Sequence, residues 1–202
     1  MTVDLNAADY ALAGLRPYPI AVTTIDNGEV NGLISLSAGA ASIIPEAPRA
    51  QISLTKYTKT HDMFRNSGVF VMHLLGANPE PTFEASLQII MALGGSSGRD
   101  GDKISQFRTK PGLTGSPILL DANSYVECRV VHQFDVDEST MFIGDIIAAE
   151  RLSPGSRLRI NDAWKRLPPE WIAKYERNHE PQLAHARRSR GMDDLGGKPA
   201  HR

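Results

Sequence analysis

Two short stretches carry the residues best suited to chemistry: Asn31 to Ser42, NGLISLSAGAAS, and Leu54 to Met63, LTKYTKTHDM. Both are rich in small and hydroxyl side chains, and both follow runs that read as strands. Backbone without bulky side chains can come close to a flat ligand. Ser and Thr hydroxyls beside free backbone N–H groups suit phosphate oxygens. Together the two stretches point to a cleft for a phosphorylated planar cofactor.

The remaining chemistry-bearing residues point nowhere else. His61 begins a helix, where phosphate ligation and a partly exposed helix-start position are equally good readings. His73 lies on an apolar run and reads as a satisfied core histidine, and His132 reads as a strand-surface residue. His179 and His185 flank Pro181 at a spacing that fits no common metal motif, so no metal site is expected. Glu176 and Glu180 read as a solvated helix face. Asp102-Lys103 either pair internally or help close a pocket. The chain has no Gly-x-Ser-x-Gly elbow, no Gly-x-x-x-x-Gly-Lys phosphate loop and no Gly-x-Gly-x-x-Gly turn.

The elements that must position these residues follow from periodicity and punctuation. Tyr18 to Ile25 and Val30 to Leu36 flank Asp26-Asn27-Gly28, a hairpin signal. Ala38 to Ser42 reads as one helical turn, ended by Pro45 and Pro48. Ala50 to Leu54 alternates as a strand. Thr58 to Asn66 reads as a helix with Thr58 or Thr60 as N-cap and Ser67-Gly68 as its end. Val69 to Leu75 is a continuous apolar strand. Pro81 to Leu93 is helical, with Phe83, Leu87, Ile90 and Met91 on one face. Gly94 to Asp102 is a loop, and Gly112 to Pro117 is turn-rich. Ser124 to Phe134 and Met141 to Glu150 form a second hairpin. Leu167-Pro168-Pro169 opens another helix, which Pro181 is expected to break, leaving a second short helix over Leu183 to Arg190. Trp164 and Trp171 read as anchors for this tail, and Gly196 to Arg202 as disordered. About six strands with two clear helices between them favour a mostly β fold with α elements, a closed six-stranded antiparallel barrel, over a parallel doubly wound sheet.

Size and composition fit that reading. The 202 residues, 41% hydrophobic and 22% charged, make an ordinary globular domain plus a tail. The division is expected at 1–155 and 156–202. Cys128 is the single cysteine, which excludes an internal disulfide framework, and its YVECRVV setting reads as a buried small hydrophobe. No apolar run is long enough to span a bilayer, and the acidic N-terminus is unlike a secretory signal, so a cytoplasmic protein is expected. The net charge is −1 overall, but residues 1–150 carry −7 and residues 151–202 carry +6. Arg187, Arg188 and Arg190 read as a solvated helix end, so neither nucleic acid nor membrane is an expected partner. A basic tail docking on an acidic partner subunit is the alternative.

The order of short motifs resembles the flavin reductase-like family of FMN-binding split barrels. The resemblance runs through Gly32-Leu33-Ile34-Ser35-Leu36-Ser37, Ala47-Pro48, Thr58-Lys59-Thr60-His61-Asp62-Met63 and Ser67 to Leu75. It continues with Asp102-Lys103-Ile104, Thr114 to Leu119, Val126 to Val130 and Ile143-Gly144-Asp145-Ile146, and spans roughly residues 15–150. It implies a Greek-key split barrel with peripheral helices and a C-terminal helical extension, acting as a homodimer that holds FMN, or FAD, without covalent attachment. It implies reducing equivalents passing from NAD(P)H to flavin, with a monooxygenase or other electron acceptor as a further partner. Carried over by motif, Ser35, Leu36, Ser37 and Ala38 face the flavin, Ser53 and Leu54 lie beside it, and Thr58, Lys59 and Thr60 hold its phosphate. No catalytic side chain is assigned, because the cofactor performs the redox step. Four departures stand out. Ile34 replaces a family threonine whose hydroxyl could reach the flavin. The double proline is spread over Pro45 to Pro48. The stretch from Pro79 to Gly101 is longer than the family pattern. The histidine that the family associates with nicotinamide falls at Ser139. That last departure keeps two alternatives open: an electron-carrying flavoprotein reduced by a partner, and a split barrel that binds a ligand without redox chemistry.

Overall fold

The computed structural model describes residues 3–192; the segment from Gly196 to Arg202 lies outside the described residues. The chain opens with helix α1 (Leu5–Leu15), capped by Asp4, whose carboxylate accepts the N–H groups of Asn6 and Ala7. None of its residues is buried. Strands β1 (Ile20–Asp26) and β2 (Glu29–Ser35) then form the first hairpin. Its two-residue loop needs positive φ at both positions, which Asn27 (φ 50°) and Gly28 (φ 82°) supply.

The small-residue run after β2 is a strand, not the helical turn expected of it. β3 (Ala38–Ala40) pairs antiparallel with β4 (Arg49–Thr55), placing Ala38 opposite Ile52, and the Ser53 N–H donates to the Ser37 carbonyl at 2.8 Å. Three residues cannot nucleate a helix against a neighbour that already offers a ladder. Helix α2 (Lys59–Ser67) follows, with Thr58 as N-cap and Gly68 (φ 66°) as a left-handed C-cap. β5 (Val69–Leu74) and α3 (Glu80–Gly94) come next. The turn-rich segment carries a small ribbon of its own, β6 (Thr109–Pro111) with β7 (Pro117–Leu119). β8 (Ser124–Val136) and β9 (Ser139–Arg151) make the long second hairpin, and α4 (Ile160–Trp164) and α5 (Pro169–Ser189) close the described chain.

The main sheet has seven strands in the order β2-β1-β5-β8-β9-β4-β3, one more than the six expected, the extra being β3. Its two edge strands, β2 and β3, are consecutive in the chain and joined only through Leu36 and Ser37. A sheet whose first and last strands are linked by two residues must curl back on itself, which gives the split barrel. Alternation along the strands feeds two cores. Ile20 and Val22 point inward with Ile52, Phe64, Phe70 and Phe142, where Phe64 stacks on Phe70 at 4.9 Å. Ala21 faces the other way, into a layer with Leu87, Ile90 and Leu93 of α3. Cys128 is fully buried in the first core, and burial pushes its thiol up to about 12.

The segment after residue 155 packs on that second layer: Leu158, Ala163 and Leu167 are buried in it, with Trp164, Trp171 and Ile172 against it. Helix α5 runs unbroken through Pro181, contrary to the expected break. A mid-helix proline forfeits one backbone hydrogen bond, but α5 is held along its length. The Trp171 indole donates to the Met91 carbonyl at 3.1 Å, and the Asn178 amide donates to the Gly95 carbonyl at 3.1 Å. Trp171, Tyr175 and His179 stack in succession along one face, at 5.4 and 6.0 Å.

Candidate functional site

A cleft of about 200 Å³ opens where the two sheet edges meet. Leu36, Ser37 and Ala38 form one wall, Gln51 and Ser53 of β4 with Met141 of β9 form the floor, and Leu15 and Arg16 at the end of α1 form the rim. Four of the nine candidate residues, Leu36, Ser37, Ala38 and Ser53, therefore share one cavity. Ser35 stands behind it, buried, its hydroxyl accepting the Ser37 N–H at 3.1 Å and so fixing the bend. Leu54 alternates away from Ser53 and is buried in the first core, so it does not line the cleft.

β4 runs from this cleft into the turn that begins α2, where the other three candidates sit. The Thr58 hydroxyl accepts the His61 N–H at 3.3 Å and donates to the Thr55 carbonyl at 3.1 Å. Lys59 is ion-paired with Glu29. Thr60 is 2% exposed, and its hydroxyl makes no hydrogen bond among the described residues. Lys59 and Thr60 are the first two residues of α2, so their N–H groups lie where a helix has no internal acceptors. Two such amides, the positive end of the helix and a lysine are groups of the kind that suit an anion.

His61 is neither a phosphate ligand nor partly exposed. It is 1% exposed, with Nε2 at 2.9 Å from the Thr140 hydroxyl, Nδ1 at 3.0 Å from the Asp62 carboxylate, and its ring edge-on to Phe142. As the third residue of α2 it turns inward between the helix and β9. His73 is a core histidine: Nδ1 lies 3.0 Å from the Ala21 carbonyl, and Nε2 accepts the Leu119 N–H at 3.0 Å. Asp102 and Lys103 do not pair with one another and do not border the cleft. Asp102 accepts the Ile104 and Ser105 N–H groups, which hold its carboxyl below the usual range. Lys103 is buried, its amine pushed down to about 8 by desolvation, and it donates to the Leu93 and Ser96 carbonyls. It thereby ties the end of α3 to the loop over residues 95–102.

Ile34 packs into the second core near Gly94, away from the cleft. Its replacement of threonine therefore changes core packing and removes no hydroxyl from the cleft. Ser139 is the first residue of β9, opposite Thr55 and nearly buried. Sequence reasoning missed Gln51, Met141, Leu15 and Arg16 of the cleft. Gln51 could have been found by alternation from Ser53. The others reach the cleft only through strand pairing and the chain's return past α1, which leave no local signal.

A family model described as flavin reductase like domain matches residues 14–161 of the chain. A ferric-chelate reductase (NAD(P)H) of Archaeoglobus fulgidus is 27% identical over 142 residues, covering 70% of this chain and 79% of that protein. Among solved structures, an FMN-binding protein from Thermus thermophilus superposes with a TM-score of 0.59 at 21% identity, covering 67% of this chain and 71% of that one. Nitrilotriacetate monooxygenase component B from Mycobacterium thermoresistibile superposes with a TM-score of 0.60 at 20% identity, covering 82% and 90%.

Proposed function

This chain belongs to the flavin reductase-like domain family, and on that premise we propose that it is a flavin-dependent NAD(P)H oxidoreductase with FMN as its first-choice cofactor. The observation that carries the reading is that one strand, β4, links a cleft walled by small residues to a helix start with two amides free of helical acceptors. Those are the two halves a flat phosphorylated cofactor needs, and the residues present fit it. Bound there, flavin would supply the chemistry of accepting a hydride and passing electrons on.

The chain's own residues do the rest. Leu36 to Ala38 offer backbone and small side chains to the flat face. Gln51 and Ser53 offer hydrogen-bonding groups from below. The Lys59 and Thr60 amides and the Thr60 hydroxyl would hold the phosphate, and Lys59, now paired with the exposed Glu29, would be available to it. A surface ion pair of that kind contributes about 0–1 kcal/mol, so the exchange is easy.

The cleft of about 200 Å³ falls below the about 300 Å³ at which ligand pockets usually begin. A homodimer, in which the second copy supplies the missing wall, is part of the proposal. The apolar side chains of α1 support it, since Leu5, Tyr10 and Leu15 are each more than three-quarters exposed on the helix whose end forms the rim. A monooxygenase as electron acceptor and a cytoplasmic setting belong to the same proposal, the former supported by the name of the Mycobacterium neighbour. Among the described residues no helix is long and apolar enough to cross a membrane.

The test is direct. The purified protein should bind FMN, show flavin absorption, and oxidise NADH or NADPH when FMN is added. A colourless protein without flavin affinity refutes the proposal. Ser139, at the position the family gives to a nicotinamide-associated histidine, favours one second reading: an electron carrier whose flavin is reduced by another protein. That reading wins if the bound flavin is reduced by a reductase partner and not by NADH or NADPH.

A further inference from the structure

Two segments outside the cleft and the turn converge on Tyr57, the residue just ahead of the Thr58 cap. The loop over residues 95–102 brings Arg99, whose guanidinium donates from Nη1 to the Tyr57 carbonyl at 2.8 Å and lies 3.7 Å from the Asp62 carboxylate through Nη2. The C-terminal half of α5 brings His185, whose ring meets the Tyr57 ring edge-on at 5.7 Å. One turn on, Arg190 of the helix end lies 3.9 Å from Glu138, in the β8–β9 turn. The basic tail therefore reaches back to the turn that begins α2 in its own chain.

Polar atoms there lack partners. The His185 Nδ1 atom is buried and has none. The hydroxyl of Thr60 also makes no hydrogen bond among the described residues, and the oxygen itself is not enclosed, so it is open to a ligand. A buried polar atom such as His185 Nδ1 left without a partner costs on the order of 1–3 kcal/mol, so its retention calls for a ligand that supplies one. Arg99 is half exposed, and so is the Asp62 carboxylate it faces. Their pairing is weak enough to yield to a dianion, and the guanidinium fork suits phosphate oxygens.

We infer that Arg99 and His185 complete the phosphate end of the flavin site, so that the 95–102 loop and α5 roof the turn of the same chain. The inference rests on the flavin reading above and adds two binding residues to it. Lys103 has a supporting part: by tying Leu93 and Ser96 together it holds the base of the loop that carries Arg99. The chemistry recognised is a terminal phosphate monoester. Inorganic phosphate shares it, and riboflavin lacks it.

The experiment is a fluorescence-quenching titration of FMN and of riboflavin against the wild type, Arg99→Gln and His185→Phe, with inorganic phosphate as competitor. The phenylalanine keeps the ring contact with Tyr57 and removes the nitrogen. Loss of one charge-assisted contact should weaken FMN about tenfold in Arg99→Gln and about threefold in His185→Phe. Riboflavin affinity should stay within about twofold, and phosphate should compete less well with FMN in both variants. Arg99→Lys should recover part of the loss. Equal weakening of FMN and riboflavin, or unchanged FMN affinity in Arg99→Gln, would overturn the inference. Arg99 is exposed enough that its variant decides the matter even if His185→Phe misfolds. A wild type that binds FMN and riboflavin equally well also overturns it while leaving a flavin protein. A wild type that binds neither removes the flavin reading and the inference together.

Discussion

Lowering the pH should destabilise this protein through His73, and the structure sets the size of the effect. The ring is fully buried. Its Nε2 accepts the Leu119 N–H, so the proton must sit on Nδ1 and be donated to the Ala21 carbonyl. A second proton on Nε2 would face another N–H donor with no water at hand. Burial accordingly lowers its pKa from 6.5 to about 4. The unfolded chain then binds a proton that the folded chain refuses, so stability rises with pH across this interval. Stability is fully present above about pH 6.5 and is lost progressively as the pH falls towards 4. With about 1.4 kcal/mol for each tenfold factor, the full loss is roughly 3 kcal/mol, and between pH 7.5 and 5 it is about 2 kcal/mol. Urea unfolding at those two pH values measures it, with His73→Gln as the control. Glutamine can offer an N–H to Ala21 and an oxygen to Leu119, yet carries no titrating group. The variant should be less stable at pH 7.5 but lose about 2 kcal/mol less on acidification. A variant with the same pH slope as the wild type, or a His73 ring titrating near 6.5 by NMR, would refute the reasoning.

Three further outcomes can be checked. Ser37→Leu should fill the cleft, which its exposed side chain lines, weakening FMN binding by more than about tenfold (over about 1.4 kcal/mol) while leaving the melting temperature close to wild type; retained affinity would move the site elsewhere. Gly68→Ala places a Cβ at φ 66° in open space, so its cost is backbone strain alone, about 1 kcal/mol by thermal melting. Pro181→Ala restores a backbone donor inside α5 and should slow amide exchange in that helix, with a gain of up to about 3 kcal/mol in local stability. Unchanged exchange would mean the helix is held by its side-chain anchors alone.

The hairpins and α2 were legible in sequence because each is decided locally. Asn27-Gly28 dictates its turn, and Thr58 with Gly68 bounds the helix, whatever surrounds them. Ala38 to Ala40 was not, since three small residues have no preference of their own and take the conformation that β4 imposes. Pro181 misled for a related reason: the rule for breaking a helix is local, and the anchors that overrule it come from Met91 and Gly95. The site divided in the same way. Leu36, Ser37, Ala38 and Ser53, which the family resemblance singled out, gather in one cavity, while Leu54 turns to the core by strand alternation. His61 was misjudged because a position at the start of a helix says nothing of which side the helix buries. Arg99 and His185 gave no signal, being brought to Tyr57 only by a loop and a helix far away in the chain.

The enclosure of Cys128 has a bearing on how such a protein survives its work. Proteins that handle reducing equivalents in air are exposed to hydrogen peroxide, and the species peroxide attacks is the thiolate. With its thiol pushed up to about 12 by burial, almost none of it is thiolate at neutral pH, and the sulfur is buried. The single cysteine should therefore be a poor target for oxidants, and the barrel should keep its shape through turnovers that would inactivate a protein with an open thiol.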